Sequence, residues 1–367
     1  MSGTKLNRGQ IGLANVGNSC FLNSTVQCLA GTTGLRKYFS QTAKLKDGTQ
    51  IYKFEKDLQI QKSVKNFKTE NKKKLTRYWY LLLKSLWSDS AEQQRINPIP
   101  FYKQLAAVAS ESKKELAFNG TQNDFQEFLI LLLEAMHDSV SRETRMSIVG
   151  SDQNDMDRID RMAYENYIVN FEKDNSIFVE LFSGQIYTKT VCSVCGYVSE
   201  ICDPIQFFPI VVPDPSNGPV TLEELLKNYT SETILDGDDK WYCTKCQDHV
   251  PAVSQNSIWR LPPYLIISLG RYQYSPALHK RNTRVEYPLS NLDMTPYYSG
   301  FESNTLNYNL YAVGIHIGNP YFGHYIALRK NPDGKWFNFN DEHVSQIAPS
   351  AVNHQGAYCL FFQRSDL

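Results

Sequence analysis

Three side chains set far apart in this 367-residue chain have surroundings suited to nucleophilic chemistry. Cys20 follows Gly17-Asn18-Ser19, and Phe21, Leu22, Val26 and Leu29 then recur at helical spacing, which predicts a helix over residues 20–30. A thiol in the first turn of a helix meets unpaired backbone N–H groups and the positive end of the dipole, and both favour thiolate. Gly12 and Gly17 would let backbone and substrate approach closely. Alone, such a cysteine is more often inert core, and Cys28, Cys202 and Cys359 take that ordinary reading. His324 changes the balance. It stands in Gly323-His324-Tyr325-Ile326-Ala327, and Asn340 and Asp341 close the run Trp336-Phe337-Asn338-Phe339-Asn340-Asp341. A thiol nucleophile needs a base, and the base needs an acceptor to fix its tautomer. Two strands joined by Asn331-Pro332-Asp333-Gly334 would bring His324 and Asn340 side by side, with Asn340 accepting the Nδ1 proton. Asp341 is expected to begin the next turn and to support the site through water, or simply to cap the chain. His137, His249, His279, His316, His343 and His354 lack such company.

A second constellation is Cys192-x-x-Cys195 with Cys243-x-x-Cys246. Four thiolates suit a closed tetrahedral zinc site. The 47 residues between the pairs exceed the usual ribbon gap of about 15–20. Two knuckles at the tips of paired strands, clamped by one structural Zn2+, fit that spacing. A redox motif needs only one pair. His249 follows Cys246 by three, but four cysteines already complete the set.

The elements that must position these residues change character along the chain. Residues 78–87 (YWYLLLKSLW) and 122–140 read as helices, the latter with Phe125, Phe128, Leu129, Leu132 and Met136 on one side. The lysines Lys62, Lys65, Lys68 and Lys72 to Lys74 read as a solvated face, and residues 141–160 as a polar loop. Strands are expected at Ile177–Val179, Gln185–Val191, Ile205–Val212, Ile258–Leu269, Tyr308–His316, His324–Arg329, Trp336–Phe339 and Ala357–Gln363. Helices first and strands later argue for an α+β fold. A hydrophobic share of 42% supports a sizeable core. The balance of 38 basic against 38 acidic residues sets nucleic-acid binding behind other functions. No apolar run is long enough for a membrane span, and the polar first residues predict an intracellular protein, cytoplasmic or nuclear.

In order along the chain, GLANVGNSCFLNSTVQCL, Gln122-Asn123-Asp124-Phe125-Gln126-Glu127-Phe128-Leu129, Leu181-Phe182-Ser183-Gly184-Gln185 and GHYIALRKNPDGKWFNFND resemble the blocks of the ubiquitin-specific protease family of papain-like cysteine peptidases. The resemblance covers nearly the whole chain. It implies one catalytic domain shaped as a hand: thumb over about 1–175, zinc-bearing fingers with adjoining palm strands over about 176–270, and palm over about 271–367. It implies cleavage after the last glycine of ubiquitin, with Cys20 as nucleophile, His324 as general base and acid, and Asn340 as third member. Asn15 matches the side chain that completes the oxyanion hole with the Cys20 N–H. Asp124 matches the acid that receives an arginine of the ubiquitin tail, and Tyr325 joins it as a substrate contact. Asp124 also reads as a helix N-terminal charge, and both roles are compatible. Two places depart from the family pattern. Leu269-Gly270-Arg271-Tyr272 stands where Leu-Lys-Arg-Phe is usual, and Gly318-Asn319-Pro320-Tyr321-Phe322-Gly323 replaces a glycine-rich gating loop, which predicts a stiffer gate.

Rival functions are a protease for another ubiquitin-like modifier, a non-catalytic ubiquitin-binding module, and a zinc scaffold. The scaffold explains neither terminal block, and a binding module has no need of the three catalytic side chains.

Overall fold

The structure, a computed structural model, describes residues 8–45, 49–60, 67–88, 95–112, 121–214, 218–274, 278–301 and 306–367. Lys62 and Lys65 lie outside the described residues, and the Lys68 side chain is likewise not described. The helices are α1 (Cys20–Ala30), α2 (Thr33–Ser40), α3 (Lys53–Ile60), α4 (Phe67–Leu86), α5 (Ile99–Glu111), α6 (Phe125–Val140), α7 (Asp155–Phe171), α8 (Ile177–Phe182) and α9 (Leu222–Tyr229). Helices α1 to α6 precede nearly all the sheet, so the α+β order predicted from sequence holds. The expected helix over 78–87 is the C-terminal half of the longer α4, and that over 122–140 begins three residues later because Asp124 is its cap.

Two elements differ from expectation. Ile177–Val179 is helical, not a strand. Its Ile-Phe-Val run suits a strand, but Ser176 caps a short helix that buries Phe178 and Phe182, four apart, in the helical core. The loop expected over 141–160 ends early, because Asn154 accepts the Asp157 N–H and starts α7 at Asp155. The Ile205–Val212 and Ile258–Leu269 runs are each two strands, divided at residues 206–207 and at Leu261-Pro262-Pro263.

The large sheet runs His343–Ile347, Trp336–Asn340, Gly323–Lys330, Asn307–Gly318, Ala357–Arg364, Tyr264–Gly270 and Phe208–Val211, antiparallel except for the last pair. Alternation along these strands divides the core. Tyr325, Ala327, Phe337 and Phe339 pack with the helices, while Ile326, Leu328 and Trp336 pack with the opposite core. Helix α1 lies between this sheet and α6, with all 11 of its residues buried. Burial on every side fixes where its first residue, Cys20, can stand. A second sheet, ordered Val198–Ile205, Gly184–Cys192, Ala252–Arg260 and Glu232–Leu235, carries the Cys192 pair at one end, and a separate hairpin of Trp241–Cys243 with Asp248–Val250 carries the Cys243 pair.

Candidate active site and metal centre

Cys20 opens α1 after Ser19, so its N–H lies outside the helix's own hydrogen-bond ladder. The hairpin at 331–334 sets Ala327 opposite Phe339, which leaves Asn340 diagonal to His324 on the same face. His324 Nε2 and Asn340 Oδ1 are 2.7 Å apart. The imidazole is also hydrogen-bonded to the Cys20 thiol, and that bond, ahead of the one to Asn340, pushes His324 up to about 9. The expected pairing is therefore present, but through the other ring nitrogen. Nε2 serves Asn340 and Nδ1 is left for the thiol, because the imidazole crosses from the strand toward α1.

Asp341 does not meet the imidazole. It leaves the strand at φ 51°, and its carboxylate accepts Asn15 Nδ2 at 2.8 Å through Oδ2 and Asn23 Nδ2 at 2.8 Å through Oδ1. The contacts are direct, where sequence suggested water or a chain cap. Asn15 Oδ1 in turn accepts the backbone N–H groups of Gly17 and Ser19, both at 3.2 Å. Asn15 is thus held at both ends of its amide beside the start of α1. Gly12 admits the backbone of Glu342 rather than substrate, since a Cβ there would lie 2.4 Å from the Glu342 carbonyl oxygen. Sequence reasoning missed Asn23. Its signal was a polar residue one turn below Cys20 in an otherwise buried helix.

A cleft of ≈ 460 Å³ adjoins this cluster, lined by Asp124, Tyr325, Tyr358, Tyr272, His316 and the 319–323 loop, among others. Asp124 caps α6, accepting Gln126 N at 2.7 Å and Glu127 N at 3.1 Å through Oδ1. Its Oδ2 accepts the hydroxyls of Tyr358 at 2.8 Å and Tyr325 at 3.2 Å. Burial first, then the Asp124 charge, pushes both phenols up, so they remain donors. Gln122 binds both backbone groups of Gly323, at 2.6 and 3.1 Å, and so ties the α6 entrance to the His324 strand. Tyr358 and Gln122 were not singled out from sequence. Only the fold brings residue 358 beside residue 124.

Where the end of the second sheet meets the Trp241–Val250 hairpin, Cys192, Cys195, Cys243 and Cys246 place their sulfurs within 4.8 Å of one another. Cys192 and Cys246 are 3.9 Å apart, and Cys195 and Cys243 3.7 Å. Four sulfurs about 2.3 Å from a tetrahedral ion would stand about 3.8 Å apart, so the set fits a metal ion. Each pair is a knuckle in which the second cysteine's N–H faces the first sulfur at 3.4 Å. The Cys195 N–H is the main cause that lowers Cys192 to about 6. His249 stays outside the cluster, with Nδ1 3.2 Å from the Lys240 carbonyl. Burial keeps the Cys28, Cys202 and Cys359 thiols above the ordinary value, as inert core cysteines should be.

A thiol, an imidazole and an amide in series, beside a cleft and on an α+β frame, define the class of the thiol hydrolases. The family model "Ubiquitin carboxyl-terminal hydrolase" matches residues 11–362, and the chain belongs to that family. It is 32% identical over 370 residues to ubiquitin carboxyl-terminal hydrolase 2 of Homo sapiens, covering 98% of this chain and 56% of that protein. It is also 32% identical over 365 residues to the Gallus gallus protein of that name, covering 98% of this chain and 95% of that one. The chain thus spans about half the length of the human relative. Among solved structures, Ubp8 in the SAGA Ubp8/Sgf11/Sus1/Sgf73 DUB module bound to ubiquitin aldehyde superposes with a TM-score of 0.68 at 21% identity. That match covers 99% of this chain and 72% of that one, and shows the same fold. No helix among the described residues is long and apolar enough to cross a membrane.

Proposed function

We propose that this chain is a deubiquitinating thiol hydrolase that cuts the isopeptide or peptide bond after the C-terminal glycine of ubiquitin. The observation that carries the reading is the series Cys20 thiol, His324 imidazole and Asn340 amide, with 2.7 Å between Nε2 and Oδ1. His324 Nδ1 takes the Cys20 thiol proton, Sγ attacks the glycine carbonyl carbon, and the charge that collects on the carbonyl oxygen meets the Cys20 N–H and the Asn15 amide. His324 Nδ1 gives its proton to the departing amine, leaving a thioester on Cys20. Water then attacks the thioester, His324 takes a proton from it, and the thiolate departs with ubiquitin released as a carboxylate. Asn340 holds the imidazole through Nε2, and Asp341 holds Asn15. Asp124 and Tyr325 line the cleft that would take the ubiquitin tail.

The four cysteines would hold Zn2+, which as a structural ion closes the two knuckles and takes no part in the reaction. We read the hand as thumb over about 1–175, fingers with adjoining palm strands over about 176–270, and palm over about 271–367. Eight cysteines with no disulfide suit a reducing, intracellular compartment.

A panel of C-terminally activated modifiers, ubiquitin and its relatives, tests the reading. The expected result is a covalent adduct with ubiquitin on the wild type and none on Cys20→Ala. Preferred capture of another modifier would select the rival protease. Capture of none, with ubiquitin still bound, would select the non-catalytic module.

A further inference from the structure

Beyond the C-terminal end of α1, about 16 Å of helix from Cys20, α2, Tyr52 and the end of α4 line an open surface cavity of ≈ 440 Å³. Phe39, Tyr80 and Trp87 wall it, and Arg36, Lys37 and Lys84 stand on it as three cations. No acidic side chain lines it among the described residues, in a chain whose formal charge is zero. Glu55, the acid whose charge reaches Tyr80, is taken by Arg77 at 3.0 Å.

The cavity is built rather than incidental. The Trp87 indole N–H donates to the Ala30 carbonyl at 3.0 Å, which fixes the ring. The Arg36 guanidinium lies 3.9 Å from that ring's centre and donates through Nη2 to Thr33 Oγ1 at 2.9 Å. Its Nε is buried with no partner, and burial holds the group below its ordinary value. Lys37 and Lys84 are exposed and form no ion pair among the described residues. A guanidinium stacked on an aromatic face keeps its edge for a carboxylate. Aromatic walls around such a volume suit an apolar side chain together with the peptide backbone that carries it.

We propose that this cavity docks an acidic linear segment of a partner protein. One aromatic or branched side chain anchors on the ring walls, its own backbone occupies the rest of the pit, and flanking carboxylates meet Arg36, Lys37 and Lys84. A single-stranded nucleic acid needs a basic groove that tracks its backbone, whereas these cations gather around one pit. The site is separate from the Cys20 cleft and does not depend on the reaction assigned there.

The test is fluorescence polarisation of the full chain with a labelled peptide in which glutamates flank one phenylalanine. The wild type should bind it saturably, and more weakly as salt rises. Lys37→Glu with Lys84→Glu, both at exposed positions, should weaken binding about tenfold or more, as should Arg36→Gln. The lysine double variant should keep its melting temperature and its ubiquitin-conjugate hydrolysis. Replacing the peptide's phenylalanine with glycine should also weaken binding about tenfold. The proposal fails if the wild type shows no saturable binding at low salt. It fails equally if neither charge reversal nor loss of the phenylalanine matters. Tighter binding of a single-stranded oligonucleotide, lost in the same double variant, would overturn it in favour of nucleic acid.

Discussion

Asp341 Oδ2 accepts the Asn15 side-chain amide at 2.8 Å, joining the end of the Trp336–Asn340 strand to the loop before Cys20. Asn15 can stabilise an oxyanion only if its amide is held before charge appears. Asp341 is therefore a positioning residue acting through Asn15. Asn15→Ala should lower kcat about 10²–10³-fold with little change in KM, the usual cost of one oxyanion donor. Asp341→Ala should cost a large part of the same factor, and the double variant little more than Asn15→Ala alone. Stopped-flow or steady-state hydrolysis of a fluorogenic ubiquitin conjugate measures all three. Losses that simply multiply would show that Asp341 acts elsewhere. A lowered melting temperature with full activity in Asn15→Ala would mark it as a mere turn cap.

In the proposed mechanism the His324 imidazole should set the alkaline limit of the reaction. Its proton is held up to about 9, first by the Cys20 hydrogen bond and then by Asn340, with the Asp341 charge adding to it. A raised histidine value favours the protonated folded form. Its contribution to stability is full below the ordinary value near 6.5 and is lost as pH rises to about 9. The activity limb should fall in the same region, because His324 must carry the leaving group's proton. Asn340→Ala should cut kcat and shift that limb to lower pH. Asn340→Asp should keep much of the activity, since an acceptor remains. A pH–rate profile with the limb unmoved in Asn340→Ala would remove Asn340 from the series.

The side chains proposed to react, which the structure brings together, could be picked out of the sequence because such chemistry uses few residue types in a definite order. What lay between them was less so. The α+β order could be read, but α8 could not, because Ile177-Phe178-Val179 has strand composition and only the buried pocket for Phe178 and Phe182 decides for helix. The ring nitrogen that meets Asn340 depends on where α1 crosses the sheet, which no spacing reveals. Asn23 and Tyr358 act through contacts across more than 200 residues of sequence, with Asp341 and Asp124 respectively. The two cysteine knuckles, by contrast, are local turns that C-x-x-C spacing marks, and the fold brings the pairs together into a cluster that could hold a metal ion.

Asp124 combines a capping role with the proposed contact to the ubiquitin tail, and one substitution separates them. Asn is as good a cap as Asp, and Asp124→Asn keeps an acceptor for Gln126 N and Glu127 N while removing the charge. It should leave the melting temperature within a few degrees and raise KM about tenfold, with a smaller change in kcat. Asp124→Ala should lower both stability and affinity. Unchanged KM in Asp124→Asn, measured on full-length ubiquitin conjugates, would confine Asp124 to the cap.

Removal of the metal should act on the second sheet before the catalytic cluster. The four sulfurs join the Cys192–Cys195 turn to the Cys243–Cys246 turn, in a small core whose other apolar members among the described residues are Val250 and Trp241. Cys246→Ser, or a strong chelator, should raise hydrogen exchange in the Gly184–Cys192 and Ala252–Arg260 strands while α1 stays protected. Elemental analysis of unchelated wild type should find one zinc per chain. Its absence, with those strands still protected, would refute the structural site.

The loop before His324 is fixed from beneath by Lys280. Its ammonium lies 2.9 Å from His316 Nδ1 and donates to the carbonyls of His316 at 3.0 Å and Gly318 at 3.2 Å. Tyr272, the departure from the family's usual Phe, brings its hydroxyl to the same Nδ1 at 2.9 Å. With two donors converging on it, Nδ1 must be an acceptor, and His316 is held neutral: burial, then the Lys280 and His324 charges, lower it to about 4. The loop is also stiffened internally, since Asn319 Oδ1 accepts the N–H groups of Tyr321 and Phe322, both at 2.9 Å. Lys280 itself is lowered to about 8, chiefly by burial. A lysine lowered in this way loses its proton as pH rises through about 8, so the clamp on the two carbonyls loses its charge and weakens there. Lys280→Met removes the clamp at every pH and should raise KM about fivefold with kcat nearly kept, since the reacting groups are untouched. Tyr272→Phe leaves Lys280 to serve Nδ1 and should change KM less than about twofold. The wild-type KM should climb above pH 8, and that climb should vanish in Lys280→Met. A KM that climbs equally in both would mean that another group loosens the cleft.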